Sequence, residues 1–222
     1  MVVYLLQLAA WTAFIAALIL WPAGTLAYPG AWAFIGLFTI GGLAMILWLS
    51  KHSPSLLRER MASPVQRAQE PWDRIWLSLF VLLFCGWMAF MGWDAARTGF
   101  TAVPPWVQVL GGLAIVVNNL GTWWTFRENA FAAPVVKIQQ GQQVIDTGPY
   151  AIVRHPMYTS ALFLLIGLPL LLGSWIGLAL SALFILGVAW RAVHEERTLR
   201  ADLRGYEDYT ARVRYRFIPF VW

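Results

Sequence analysis

An arginine, a histidine and two tyrosines crowd into Gly148-Pro149-Tyr150-Ala151-Ile152-Val153-Arg154-His155-Pro156-Met157-Tyr158, just where an apolar run begins. The next apolar run ends in Arg191, His194, Glu195 and Glu196. A helix starting at Pro156 has unpaired N–H groups that favour anions, and Arg154 and His155 add donors beside them. Positions 191 and 195 are one helical turn apart and share a face. A carboxylate there can accept ribose hydroxyls or a cationic amine. A guanidinium there can grip an anionic substrate group in a bidentate way. The rings of Tyr150 and Tyr158 attract positive charge. Together these groups suit a charged, water-soluble cofactor held beside a lipid-dissolved substrate. The plainer reading is that Arg154 and His155 anchor a helix among headgroups and that Arg191–Glu195 is a surface ion pair, worth less than about 1 kcal/mol.

The elements that position these groups are membrane helices. The chain has 222 residues, 59% apolar and 12% charged, against roughly 45–50% and 25% in soluble domains. A spanning helix needs about 20 apolar residues. Six runs approach that length: 2–21, 31–49, 75–93, 106–126, one from Pro156 to Leu172, and 175–193. The expected fold is therefore all-α, a polytopic membrane bundle of six spans. Gly173-Ser174 folds the last two into a C-terminal hairpin, which returns the two polar clusters to one membrane face. The first run lacks a preceding Lys or Arg and reads as a retained helix, not a signal peptide. Leu56 to Met61 reads as a short amphipathic piece at the interface.

With both termini in the cytoplasm, every basic residue except Arg97 falls on the inner side, as the positive-inside rule requires. The net charge of +5 thus speaks for contact with membrane lipids and not for nucleic acid. Most of the fourteen tryptophans are expected to be interface anchors. Asn118 and Asn119 read as buried amides that bond between helices. The lone Cys85 excludes an intrachain disulfide and reads as a small packed residue. Residues 1–126 read as N-terminal membrane helices, and 127–222 as a cofactor-binding region integrated with them. Within that region, 127–155 is an ordered loop with two short extended pieces around Gly141. No dinucleotide or P-loop glycine motif, H-E-x-x-H or G-x-S-x-G is present. The three histidines show no ligand spacing, so no metal site is expected.

Four strings are similar to the isoprenylcysteine carboxyl methyltransferase family, within the membrane methyltransferases that include phospholipid N-methylating enzymes. They are Gly148-Pro149-Tyr150, Val153-Arg154-His155-Pro156-Met157-Tyr158, Glu195-Glu196 with Leu199, and Gly205-Tyr206-Glu207-Asp208-Tyr209. The closing 213–219 resembles bacterial members, and Pro71-Trp72-Asp73-Arg74 is a weaker echo. The resemblance runs from about Asn129 to the C-terminus. It implies S-adenosyl-L-methionine as methyl donor and a lipophilic or lipid-anchored acceptor, such as the carboxylate of a prenylcysteine-like molecule. It implies a prokaryotic inner membrane with the site facing the cytoplasm. Cofactor contacts carry over to Tyr150, Arg154, His155, Pro156, Met157, Tyr158 and Glu195. The preceding segment contributes Lys137, Gln142, Gln143, Val144 and Ile145, where Gln142 stands in place of a family histidine. Arg191 carries over as the substrate-contacting catalytic residue. Two other classes are weighed against this one. A sterol-type reductase would need more cations for its NADPH phosphates. A transporter or assembly protein would collect its polarity at mid-membrane.

Overall fold

A computed structural model describes residues 1–63, 65–66, 68–99 and 102–222. The α-helices are α1 (Val2–Ala23), α2 (Pro29–His52), α3 (Pro54–Met61), α4 (Pro71–Gly92), α5 (Pro105–Glu128), α6 (Pro156–Leu172), α7 (Trp175–Asp202) and α8 (Tyr206–Arg212). A π-helical stretch, Trp93–Thr98, continues α4, and a 3₁₀ turn spans Gly148–Ala151. The described residues contain no strand. The fold is the expected all-α membrane bundle. Helices α1, α2, α4 with its continuation, α5 and α7 are long and apolar enough to cross a membrane; α6 is apolar but has 17 residues. The chain is an integral membrane protein.

Proline sets where these helices begin. Pro29, Pro54, Pro71, Pro105 and Pro156 each open a helix, where the missing N–H costs nothing and φ is already helical. This explains why α4 starts at Pro71, one turn before the first fully apolar residues. Its far end runs on through Asp94, where a turn was expected. The buried Asp94 carboxylate accepts a hydrogen bond from Ser174 Oγ at 2.5 Å, so the polar residue is held inside the bundle. The last long helix also runs past the expected end at Val193, to Asp202. Apolar length marks only the part of a helix in lipid, and the remainder is helix in water.

Helix α5 lies along α6, α6 packs on α7, and α4 packs on both α1 and α7. Ile19, Ala31, Met91, Leu168 and Leu172 form the centre of the largest core. Asn119 Nδ2 reaches the Leu37 carbonyl at 3.5 Å, and Asn118 bonds to Asn119. Both amides are half-buried, not buried, and Asn119 lies against α2 at Leu37 and Gly41.

Two features register the site. Gly173 ends α6 with φ +87°, a conformation that favours glycine, and Ser174 Oγ accepts from Gly177 N at 2.8 Å to start α7. At 1.5 Å per residue, α6 rises about 26 Å from this turn. An equal length of α7 reaches Arg191. Hence His155, at the head of α6, stands level with Arg191 and Glu195. The second feature is the contact of α5 with α6. A Cβ on Gly111 would sit 2.5 Å from Leu171 N, and one on Gly167 would sit 2.7 Å from Gly111 O. Only glycine allows backbones this close. Gly111→Val should therefore destabilise the protein by about 1–3 kcal/mol in reversible unfolding from detergent micelles. Gly86→Ala, which meets nothing within 4 Å, should not lower the unfolding midpoint, because alanine favours the helix over glycine.

Candidate functional site

The residues picked out in the sequence converge on one cleft. It lies between segment 129–145, the head of α6, the end of α7 and α8. Gln142, Gln143, Val144 and Ile145 form one wall together with Lys137. Tyr150, Arg154, His155, Pro156, Met157 and Tyr158 form the floor, and Glu195 faces them from α7. The cleft encloses about 100 Å³. Arg191 is not in its lining but sits behind Tyr158, with its Cζ 5.8 Å from that ring.

Backbone pairing with the C-terminal tail places Arg154 and His155. Arg154 N donates to Tyr215 O at 2.9 Å and His155 N to Arg216 O at 3.0 Å. Thr159 Oγ1 donates to Phe217 O at 2.8 Å. The tail thus straps the loop that enters α6. Proline at 156 disfavours helical backbone for His155, which leaves this residue extended enough to pair.

The side chains divide into committed and available charges. Glu196, 2% exposed, is a hub. Its carboxylate lies 3.1 Å from Arg154 Nε, 3.1 Å from His155 Nε2 and 3.2 Å from Arg216 Nη2. Burial pushes Arg154 below its ordinary range while Glu196 pulls it back up. Arg154 is ion-paired with Glu196, although its buried Nε makes no hydrogen bond among the described residues, and it also lines the cleft. Lys137 Nζ is likewise held, by Glu59 at 2.7 Å and Gln66 at 2.8 Å. Glu195 differs. It accepts one bond, from Tyr158 Oη at 2.5 Å, and no cation among the described residues lies within ion-pair distance of it. The Tyr158 ring stacks on His155 at 5.3 Å. Tyr150 Oη accepts from Asn129 Nδ2 at 2.8 Å, and burial pushes its phenol up, out of range of ionisation.

The surface pairing read for Arg191 and Glu195 is not what the structure holds. Arg191 is buried, and its Nε donates to Asp73 Oδ1 of α4 at 2.8 Å. Its Nη2 donates to Pro134 O at 2.9 Å, and its Cζ lies 4.9 Å over the Trp76 ring. The same Asp73 carboxylate accepts from Gln69 Nε2 at 2.9 Å and from Val136 N at 2.8 Å. Helical spacing showed only that 191 and 195 share a face; it could not show a better-placed acid on a neighbouring helix. The sequence signal for Asp73 was its position in the first turn of an apolar helix, where an unpaired carboxylate would be costly. Segment 135–145 is irregular on both sides of a turn at 140–141 and pairs with no strand among the described residues. It closes a turn in which Gln142 N donates to Gln139 O at 3.1 Å and Gln139 N to Gln142 Oε1 at 2.9 Å. Side-chain amides replace strand pairing there.

Beside Arg191 an apolar groove of about 720 Å³ runs down between α4 and α7. Trp76 and Gly187 lie at its upper end, and Phe80, Leu83, Leu180 and Phe184 lie below. The groove faces outward from the bundle.

Residues 106–203 match the model of the phospholipid methyltransferase family. This match includes α5, the cleft segment, α6 and α7, and the likeness to membrane methyltransferases seen in the sequence stands. A solved structure of a eukaryotic intramembrane Ras methyltransferase, an isoprenylcysteine carboxyl methyltransferase, is similar at TM-score 0.49 and 16% identity, over 96% of this chain and 75% of that one. No curated protein sequence matches the chain.

Asp73→Ala leaves Arg191 buried and unpaired, and frees Val136 N. It should cost about 3–5 kcal/mol in unfolding from detergent, and hydrogen exchange should rise across 134–138 before it rises in α6.

Proposed function

Starting from a membrane protein whose residues 106–203 carry the phospholipid methyltransferase signature, we propose that it transfers a methyl group from S-adenosyl-L-methionine to a lipophilic acceptor. One observation carries this reading. A cleft whose one carboxylate among its described lining residues is Glu195, backed by Tyr150 and Tyr158, is separated from an apolar groove by the buried Arg191, which lies against Tyr158 of the cleft and Trp76 of the groove. The donor set fits the cofactor. Glu195 and the aromatic rings suit a cationic amino-acid and sulfonium end. Val144, Leu199 and Leu203 offer apolar surface to a base. His155 is fixed by Glu196 and by its backbone bond to the tail, so the floor under the ligand is rigid.

S-adenosylmethionine supplies a methyl group already activated by its positive sulfur. The protein therefore has to align and shield, which is where most of the rate can come from. A carboxylate acceptor needs no general base. The cleft suits that demand: its one available carboxylate is engaged by Tyr158, and its histidine is engaged by Glu196. Arg191, fixed by Asp73 on α4 and by Pro134 O, is the group at the junction of cleft and groove that can orient an anionic acceptor head. The groove between α4 and α7 takes the acceptor's tail. Its aromatic wall, with the Phe80 and Trp87 rings each packed against Phe184, gives a chain wide contact at little entropic cost.

The cleft is smaller than the roughly 300 Å³ of usual ligand pockets. Binding therefore has to move a wall, and the 139–142 turn is the wall with least holding it: its own two hydrogen bonds and the bond from Gln139 Nε2 to Phe131 O. The distribution of basic residues supports placing the cleft on the cytoplasmic side of a prokaryotic inner membrane, where the donor is made.

Titration calorimetry of the purified protein with S-adenosylmethionine and, separately, NADPH tests the assignment. Binding of the first and not the second is expected. Glu195→Gln should weaken S-adenosylmethionine binding about tenfold, worth about 1.4 kcal/mol. Arg191→Lys, which keeps a cation for Asp73, should bind the donor normally and lose most turnover with labelled lipid extracts. Unaltered donor affinity in Glu195→Gln would sink the assignment of this cleft.

A further inference from the structure

Helix α3 holds a cation that the function described so far leaves unused. Leu56 and Leu57 are buried with Ile46, Leu49, Phe126 and Ala132, and Glu59 is tied to Lys137. These contacts fasten α3 against α2, the end of α5 and the Lys137 segment, and hold Arg60 in place. Its Nη1 donates to Ala132 O at 3.0 Å and lies 3.5 Å from Met157 Sδ. Its Cζ stands 4.5 Å over the Phe126 ring. Ala132 and Met157 both line the cleft, and Arg60 stands against them without itself being in the lining.

What Arg60 lacks is an acid. No carboxylate among the described residues lies within ion-pair distance of it. Every other cation around the cleft has one: Lys137 has Glu59, Arg154 and Arg216 share Glu196, and Arg191 has Asp73. Burial, and then the like charge of Arg191, push Arg60 down to about 10. It stays charged at neutral pH against both effects. A carbonyl, a thioether and a ring do not neutralise a guanidinium. Its Nε and Nη2 make no hydrogen bond within the described chain, and neither is sealed from solvent. Those two nitrogens form the side-on edge of the guanidinium, the fork that matches two oxygens of a carboxylate or phosphate. Glu195, the carboxylate without a cation, accepts from Tyr158, the residue next to Met157. The two charges therefore contact neighbouring residues of the cleft floor.

We propose that Arg60 is an anion-binding residue of the cleft, taking a carboxylate or phosphate on its Nε–Nη2 edge beside Met157. The inference rests on the methyltransferase reading above for what enters the cleft. Two molecules carry such a group: the donor, through its own amino-acid carboxylate, and an acceptor with an anionic head. A donor zwitterion would satisfy Arg60 and Glu195 together.

The test uses the full chain in a neutral detergent, as wild type, Arg60→Gln and Arg60→Lys. Each is titrated with S-adenosylhomocysteine and with 5′-methylthioadenosine, a nucleoside that lacks the amino acid. Each is also titrated with hexadecyl phosphate and with hexadecanol. Arg60→Gln should lose about tenfold in affinity for one charged probe while its uncharged counterpart binds as in wild type. Loss confined to S-adenosylhomocysteine assigns the donor's carboxylate, and loss confined to hexadecyl phosphate assigns an anionic acceptor head. Wild-type affinity for both charged probes, or equal losses on charged and uncharged members of a pair, overturns the proposal. If Arg60→Gln does not fold, Arg60→Lys decides: a several-fold loss on a charged probe supports the fork, and no loss overturns it. A wild-type protein that ignores S-adenosylhomocysteine would refute the donor assignment, and the hexadecyl phosphate pair would still report on Arg60.

Discussion

The buried carboxylate of Asp73 is the constraint on which the upper half of the bundle depends. It is fully enclosed, and it joins three parts of the chain that share no sequence neighbourhood: α4 itself, Arg191 of α7 and the backbone of Val136. Charge inside a membrane protein is costly unless paired, so these contacts are made together or not at all. With Asp73 in place, the loop after α5 is drawn across the end of α7, and this loop becomes the wall of the cleft. The second buried carboxylate, Glu196, does the same for the other side by holding the head of α6 and the tail. The site is thus built between two acids, neither of which needs to touch a ligand.

This division explains which residues are available for binding. Arg154 and Lys137, cations of the cleft lining, each already have an acid partner. The charges left over are Glu195 and Arg60, on helices far apart in the chain. Committed charges lend rigidity and leftover charges lend recognition, with Arg191, held by Asp73, as the charge proposed to do both. The aromatic stack of His155, Tyr158 and Phe217 belongs to the first class, because it fixes where Tyr158 presents its hydroxyl to Glu195.

Much of this was legible beforehand, for identifiable reasons. Helices in lipid announce themselves by apolar length, and Gly173-Ser174 is a turn by residue type alone. Equal helix lengths on either side of that turn then bring His155 level with Glu195, so the convergence of the two polar clusters follows from counting. What was not legible was partner choice. Arg191 has Glu195 one turn away in sequence, yet bonds to Asp73, because a buried guanidinium pairs with whichever acid is equally buried and correctly angled. Nor could the sequence show that an amide of segment 135–145, Gln142 Oε1, accepts from the backbone at Gln139 N. Arg60 escaped notice because its neighbours, Ala132 and Phe126, come from an element distant in the chain.

The brevity of α6 has a consequence for the surrounding bilayer. A helix about 26 Å long falls short of a hydrocarbon layer of roughly 30 Å. Its Gly173 turn is anchored at the opposite leaflet beside Asp94 and Ser174, so the shortfall is felt at the Pro156 end. Lipids next to that end have to dimple inward, or the floor of the cleft sits below the plane of the glycerol backbones. Either way, hydrophobic mismatch couples the depth of the reacting groups to acyl-chain length, and thicker membranes bury the floor more deeply beneath the surface that a water-soluble molecule must cross.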